Sequence, residues 1–343
     1  MIEIDGSEGE GGGQILRTAV ALSALTGNEV AVHGIRSKRD QPGLQAQHLC
    51  AMNGVARICD ARVKGAVVGS SEIVFSPGKV KGGRQHLSVG TAGSVTLVLQ
   101  ACMLASARSP EESWFEVTGG TNVRWSPPID FYRQILFPHL ERMGGRASLI
   151  EVVRGFYPEG GGRVVAVWHP PASFVPLSML ERGELQEIFG CIFVQGLPQH
   201  VGKRMGDVVR KAFLDTRVHL RDEIAQGASK GAGVFLVAGF SNCLLSGDGL
   251  GEKGVPAELV GEKATSMLRG ELESISTMDV HSADQLLPYM CLAETASSFL
   301  VKEVTGHLAA QAELLNKFLG ARVTLTTIEG GARVDVRPSC TCN

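Results

Sequence analysis

Apolar residues recur at three- and four-residue spacing over about 13–26, about 93–107 and about 283–298, which predicts an amphipathic helix in each stretch. After each comes a second shared pattern: a helix, a short break rich in Gly or Asp, a strand, a turn and another strand. The first copy runs from Gly43 through Cys59-Asp60-Ala61-Arg62-Val63 to Phe75, and the second from Ile129 through Met143-Gly144-Gly145-Arg146 to Val164. The third runs from His307 through Leu319-Gly320-Ala321-Arg322-Val323 to Val334. The endings of the second and third, E-G-G-G-R-V at 159–164 and E-G-G-A-R-V at 329–334, differ at a single position and point to duplication. Each unit is expected to pack two helices on one face of a small mixed sheet, and three units give an α+β architecture. The pattern lapses between about 183 and 277. That stretch reads as strand (Leu185–Gln195), helix (His200–Phe213), two strands (Val234–Phe240 and Cys243–Ser246) and helix (Pro256–Arg269). We therefore expect a large repeat domain of 1–182 and 277–337, a smaller α/β domain inserted at 183–276, and a tail at 338–343.

A chain of 343 residues is long enough for two or three domains with substantial cores. Its 44% hydrophobic and 20% charged content is that of a soluble globular protein. The net charge of −2 means that a nucleic-acid partner must be held by a local basic cluster, since the overall field offers no attraction. Six cysteines (Cys50, Cys59, Cys102, Cys191, Cys243 and Cys291) sit in helix- or strand-like segments, where a thiol acts as a small hydrophobe. Cys340 and Cys342 form the one close pair, in the polar tail, and no C-x-x-C occurs, so structural zinc is not expected. No apolar run reaches membrane-spanning length and no secretory signal precedes the first strand. A reducing cytoplasmic or nuclear compartment, away from any membrane, is the simplest expectation.

Candidate chemistry begins at residues 6–17, G-S-E-G-E-G-G-G-Q-I-L-R, where glycines surround two carboxylates and lead into the first helix. Glycine serves where backbone must press against a ligand, and the amides that open a helix form an anion site. Glu10 in such a loop suits a phosphate only with a divalent cation between them. Neither the P-loop nor the dinucleotide fingerprint is matched, and a ligand-free tight turn is the alternative. Next, Arg36, Lys38 and Arg39 cluster before a Pro-Gly turn and a helix bearing Gln47 and His48. The guanidinium fork of arginine suits phosphate oxygens, although a solvated charge cluster has the same appearance. Gly90–Gln100 is a second small-residue loop opening a helix, with amides that could bind another anion or simply pack closely. Gly119-Gly120-Thr121-Asn122 and the following Trp125-Ser126-Pro127-Pro128 could wall a pocket. His307, after Val304-Thr305-Gly306 at a helix start, could act as a nucleophile toward phosphorus. Asp284, in His281-Ser282-Ala283-Asp284-Gln285, could hold an imidazole in one tautomer or be an ordinary N-terminal helix carboxylate.

In this order along the chain, these stretches resemble the RNA 3′-terminal phosphate cyclase family. The motifs are E-G-E-G-G-G-Q-I-L-R at 8–17, I-R-S-K-R-D-Q-P-G-L-Q-A-Q-H-L at 35–49 and T-A-G-S-V-T-L-V-L-Q at 91–100. G-G-T-N at 119–122, G-F-Y-P-E-G-G-G at 155–162, A-D-Q-L at 283–286 and V-T-G-H-L around His307 complete the set. The resemblance implies three two-helix, four-stranded units with a small α/β domain inserted before the third. It also implies an ATP- and metal-dependent, ligase-type nucleotidyl transferase that turns an RNA 3′-phosphate into a 2′,3′-cyclic phosphate through histidine–AMP and RNA-pp-adenosine intermediates. By position, the adenylylated histidine falls on His307 and the metal-contacting glutamate, for magnesium or manganese, on Glu10. ATP contacts fall on Gln100, Pro127, His281, Ser282, Ala283, Asp284 and Gln285. The RNA-phosphate side falls on Arg17, Arg36, Arg39, Gln47 and His48, with Gln14 nearby.

The chain departs from the family pattern at Ala310-Gln311, where many members carry Thr-Asn, and it has no clear adenine-stacking aromatic near Asp248-Gly249-Leu250-Gly251. Two rivals are a non-catalytic RNA-binding factor of ribosomal RNA processing, a branch that lacks the histidine, and a carboxyvinyl transferase, which the inserted domain fits poorly. A homodimer is compatible with the chain, though no exposed stripe demands one.

Overall fold

In the computed structural model, which describes residues 1–9 and 12–338, the chain starts with β1 (Ile2–Asp5), α1 (Gly13–Thr26), β2 (Val30–His33), α2 (Ala46–Ile58), β3 (Arg62–Lys64) and β4 (Ile73–Ser76). These strands form a mixed sheet of order β1-β2-β4-β3, parallel in its first pair and antiparallel afterwards. The next stretch holds β5 (Gly83–Ser88), α3 (Val95–Ala105), β6 (Ser113–Gly119), α4 (Ile129–Phe131), a π-helical turn (Tyr132–Leu136), α5 (Phe137–Arg142), β7 (Arg146–Val153) and β8 (Gly162–His169). Its sheet order is β5-β6-β8-β7, with the same alternation of parallel and antiparallel pairs. The π-turn has a local cause. Pro138 has no N–H to donate back to the preceding turn, and Phe137 N–H bonds five residues back to Tyr132 O.

After β9 (Ser178–Met179) come β10 (Leu185–Gln195), α6 (His200–Ala212), β11 (Val218–Ala225), β12 (Gly231–Phe240), β13 (Leu244–Leu250) and α7 (Ala257–Leu272), with a separate sheet of order β11-β10-β12-β13. The chain then runs through α8 (Val280–Met290), β14 (Ser297–Val301), α9 (Gly306–Leu319), β15 (Arg322–Ile328) and β16 (Gly331–Arg337). Their sheet has the order β15-β16-β14-β9. Two-residue β9 pairs parallel with β14, taking the edge place that β1 and β5 hold in the first two sheets. Three sheets thus share one connectivity, and the β10–α7 segment lies in sequence between β9 and α8.

α1 is buried from Gln14 to Ala24, because α2, α3 and α9 all pack against it. Small Ala19, Ala21 and Ala24 allow that close approach. No helix among the described residues is long and apolar enough to cross a membrane.

Three sequence expectations need correction. The helix expected over about 283–298 is α8, ending at Met290, and Ser297–Val301 is a strand. The alternation of buried Ser297, Phe299 and Val301 with half-buried Ser298 and Leu300 has period two and belongs to a sheet. β11 was not anticipated, because its polar His219, Arg221, Asp222 and Glu223 suit a sheet edge and hide the strand signal. β13 runs on past Ser246 to Leu250 through Gly247 and Gly249, residues that argue against a strand. They are needed because α7 lies directly on them: a Cβ on Gly247 would come within 2.6 Å of Ala264 O.

The two ends of the β10–α7 segment are stapled together by Arg182. Its guanidinium donates to the carbonyls of Glu271 and Leu272, each at 2.8 Å, and to those of Ser274 and Ser276, over the ring of Phe240. A second tie is buried. Arg154 grips both oxygens of Asp130 at 2.7 and 2.8 Å and also pairs with Glu223, with Cys191 Sγ 3.1 Å from Asp130. Asp130, Cys191 and Glu223 are close enough to share a metal ion, but the guanidinium already answers both carboxylates. Burial raises the Asp130 carboxyl, yet the adjacent Arg154 holds it below the ordinary range. Arg182→Ala leaves four carbonyls without their cationic donor and is expected to cost roughly 2 kcal/mol, read as a Tm lower by a few degrees. Arg182→Lys should recover only part, since an ammonium cannot span the four acceptors. An unchanged Tm for the alanine variant would refute the staple.

Candidate active site

Three helix starts converge on one amide. α9 is capped by Thr305, whose Oγ1 accepts from Leu308 N at 3.1 Å, and this fixes His307 in its first turn. His307 Nδ1 hydrogen-bonds Gln14 Oε1, from the first turn of α1. Gln14 Nε2 in turn faces Asp284 Oδ2 at 3.3 Å, His307 O at 3.4 Å and Gln311 Oε1 at 3.4 Å. All three neighbours of that nitrogen are acceptors, so the amide cannot be flipped. Its oxygen can only accept, hence Nδ1 of His307 is the donor of that bond and Nε2 is the ring nitrogen turned away from Gln14. The sequence reading allowed Asp284 to hold the imidazole directly. Instead, Asp284 holds Gln14, and Gln14 holds the ring.

Asp284 is buried on α8, beneath an N-cap formed by Asp279 Oδ1 and Ser282 N at 2.8 Å. Burial pushes its carboxyl up to about 6, against the opposing pull of His281, His307 and Arg17. Ser282 and Ala283 are fully buried, Gln285 nearly so, and His281 is exposed. Deeper along α1, Thr18 Oγ1 donates to Gln311 Oε1 at 3.0 Å. A small cavity follows, lined by Arg17, Thr18, Gln100, Gln285 and Gln311 with Pro288 and Tyr289. Arg17 Nε, Gln100 Oε1 and Gln311 Nε2 are buried there without partners among the described residues, which suits a polar ligand or ordered water. Pro127 is half-buried, its carbonyl accepting from Thr96 Oγ1 at 2.8 Å, one turn before Gln100.

Cationic and imidazole groups surround the start of α1. A Cβ on Gly13 would overlap the ring of His48 and lie 2.9 Å from Arg17 Nη1, so only glycine fits. Arg39 Nη2 reaches the same backbone at Gly12. Arg36, at φ 52°, folds over its own turn and donates to Gln41 O and Gly43 O. Gln47 Oε1 accepts from Ser94 N at 2.9 Å, while Ser94 Oγ accepts from Leu97 N. Protein groups therefore occupy the start of α3, and the anion reading of Gly90–Gln100 gives way to close packing. The structure brings Gln14, Arg17, Arg39, His48, Asp284 and His307 around one helix start. Glu10 lies outside the described residues, as do Cys340 and Cys342.

Sequence reasoning set Gln14 on the RNA-phosphate side and read Gln311 only as a departure from the family pattern. A signal was available: Gln14, Arg17 and Thr18 form an i, i+3, i+4 polar stripe on a mostly apolar helix.

His48 is held neutral. Burial, then the charges of Arg17 and Arg36, push it down to about 3, and its Nδ1 accepts from Gln45 N at 3.1 Å. An unfolded imidazole takes up a proton near pH ~6.5, whereas the folded one resists until about 3. The contribution of His48 is therefore full above the unfolded pKa and is lost progressively as pH falls below it. The Tm of His48→Gln should decline less steeply than that of the native protein between about pH 7 and pH 4.5. Parallel declines would mean that the ring titrates in the folded state.

Comparison with known proteins agrees along the chain. Residues 8–325 match the sequence model of the family described as RNA 3′-terminal phosphate cyclase. The RNA 3′-terminal phosphate cyclase of Methanopyrus kandleri is 44% identical, over 98% of this chain and 99% of the relative. That of Nitrosospira multiformis is 41% identical, over 98% and 97%, and that of Archaeoglobus fulgidus 42%, over 93% and 96%. With the match spanning the glycine-rich loop, the basic loop and the His307 helix alike, this chain belongs to the RNA 3′-terminal phosphate cyclase family.

Proposed function

We infer that this protein converts an RNA 3′-terminal phosphate to a 2′,3′-cyclic phosphate using ATP. The observation that carries the chemistry is the bond from His307 Nδ1 to Gln14 Oε1, because it commits Nδ1 as a donor and makes Nε2 the nitrogen that a neutral ring would offer to phosphorus. In the first step Nε2 attacks the α-phosphorus of ATP; a P–N bond forms and pyrophosphate leaves. The RNA 3′-phosphate then displaces the imidazole and gives an RNA-pp-adenosine anhydride. The adjacent 2′-hydroxyl finally attacks the RNA phosphorus and expels AMP, a step favoured by proximity because nucleophile and electrophile share one ribose. A divalent cation, magnesium or manganese, would neutralise the triphosphate; Glu10 is its proposed ligand.

ATP is assigned to the side of Gln100, Pro127 and His281 through Gln285, and the RNA phosphate to Arg17, Arg36, Arg39, Gln47 and His48. Gln14 is reassigned from substrate to the imidazole, with Gln311 and Asp284 orienting it. We read residues 1–182 with 277–337 as a threefold repeat body and 183–276 as an insertion. The shared strand order and the Arg182 staple support that division. A non-catalytic RNA-binding role would leave the polar chain behind His307 without a purpose, which favours the enzyme.

Incubation with α-labelled ATP and metal should yield an acid-labile protein–nucleotide adduct. His307→Ala should abolish it with the fold retained; label persisting in that variant would remove the histidine from the mechanism. Gln14→Met, which keeps length but loses the acceptor, should slow adduct formation about tenfold or more. Arg39→Ala should leave adduct formation near the native rate and impair transfer to RNA; equal loss of both steps would assign Arg39 to ATP.

A further inference from the structure

We propose that Trp125 is a nucleobase-stacking platform at the rim of the active site, an inference that rests on the cyclase reading. Trp125 is 93% exposed, more than any other large apolar side chain among the described residues. Its backbone sits at φ 64°, in the left-handed region, where a side chain is strained. Among the described residues, the other non-glycine residues with positive φ are Arg36, in the basic loop, and Asp60, a residue type that tolerates this conformation. Strain and exposure are thus combined in one tryptophan, and within the chain neither is compensated: no aromatic, cationic or hydrogen-bonding partner engages the indole among the described residues.

The loop that presents it is firmly held. Ile129 N bonds Thr121 O at 3.0 Å, and Thr121 and Asn122 N–H both donate to Gly155 O. Ser126 Oγ bonds Val123 O at 3.0 Å, Thr96 Oγ1 bonds Pro127 O, and Arg124 pairs with Glu252. A strained residue that its surroundings over-determine marks a site where a ligand is met. Its location fits. On one side the loop is pinned to α3 one turn before Gln100, which lines the cavity with Arg17 and Gln285. On the other, Arg124 reaches the turn after β13, the strand whose Asp248 lies near the exposed His281. The reaction brings two bases to this protein, the adenine of ATP and the terminal base of the RNA. An indole offers both the same sequence-tolerant face.

Binding is read first without turnover, on the full chain, by tryptophan fluorescence. Trp168 is fully buried and Trp114 half-buried, so a ligand stacked on Trp125 dominates the quench. ATP, or an RNA oligonucleotide ending in a 3′-phosphate, should quench the native protein and quench Trp125→Phe much less. Loss of the quench with ATP assigns adenine; loss with RNA assigns the terminal base. Kinetically, Trp125→Ala should raise the corresponding KM about tenfold with little change in kcat, and Trp125→Phe should restore most of it. Trp125→Gly, which relieves the left-handed strain, should fold with a Tm equal to or above the native one while sharing the loss of affinity. The proposal is overturned if neither probe gives a quench that depends on Trp125. It is equally overturned if Trp125→Gly lowers Tm and leaves both KM values unchanged, or if the indole proves necessary only for self-association in sedimentation. A native protein that quenches with nucleotide but forms no labelled adduct would sink the cyclase reading and leave the platform standing.

Discussion

The carboxamide of Gln14 must face in one direction for His307 to be of use, and much of the surrounding structure serves to keep it there. An amide is nearly symmetric in shape, so only its neighbours distinguish oxygen from nitrogen. Here they do so threefold, with acceptors from Asp284, Gln311 and the His307 backbone around Nε2. Each of those acceptors is itself placed. Asp284 rides on a helix capped by Asp279, Gln311 is held by Thr18, and the His307 carbonyl belongs to a helix capped by Thr305. The constraint therefore draws α1, α8 and α9 together at their N-terminal turns. It also explains why α1, apolar along most of its length, carries polar side chains at Gln14, Arg17 and Thr18.

Burying that stripe has an electrostatic cost, and the charges offset each other in part. Desolvation alone would favour neutral forms of both Arg17 and Asp284. Arg17 is pulled down to about 10, which still leaves it protonated at neutral pH. Asp284 is raised to about 6 by burial, against the pull of His281, His307 and Arg17. His48, in the same neighbourhood, is kept neutral. The result is an arginine on α1 and a carboxyl group on α8 buried together, with the neutral His48 imidazole beside them. This arrangement suits nucleotidyl transfer, in which the nucleophile must be uncharged while the incoming phosphates are anionic.

The helices were legible wherever three- and four-residue periodicity ran long and apolar, as in α1, α3 and α9. The sheet strands were harder. β11 alternates polar residues at an edge, β13 contains glycines that α7 requires, and β9 is two residues long and acquires its place only from β14. The candidate site divides in the same way. His307, Arg17, Arg39, His48 and Asp284 could be named from residue type and motif, because cations and imidazoles near glycine-rich loops advertise phosphate chemistry. The role of Gln14 could not, since it depends on which end of an amide faces a histidine 293 positions away. Nor could Gln311, whose difference from the family pattern acquires meaning only once Thr18 and Gln14 are seen to share its oxygen.

The β10–α7 segment bears on the same amide through a short mechanical path. Ser246, on β13, donates from both its N–H and its hydroxyl to Asp279 Oδ2, at 3.1 and 2.8 Å. The other oxygen of Asp279 caps α8 at Ser282 N. One carboxylate therefore joins the fourth sheet to the helix that carries Asp284. Movement of β13 relative to α8 would strain the cap, and through it the acceptor that faces Gln14 Nε2. The Arg154–Asp130 pair, buried and joined by half-buried Glu223, and the Arg182 staple resist such movement from two further directions. Three anchors on separate edges hold a body in orientation as well as in position, which a single hinge cannot do. The fourth sheet is thus tied into the frame around His307, and its bonds to Asp279 link the proposed nucleophile to packing well outside the glycine-rich loop.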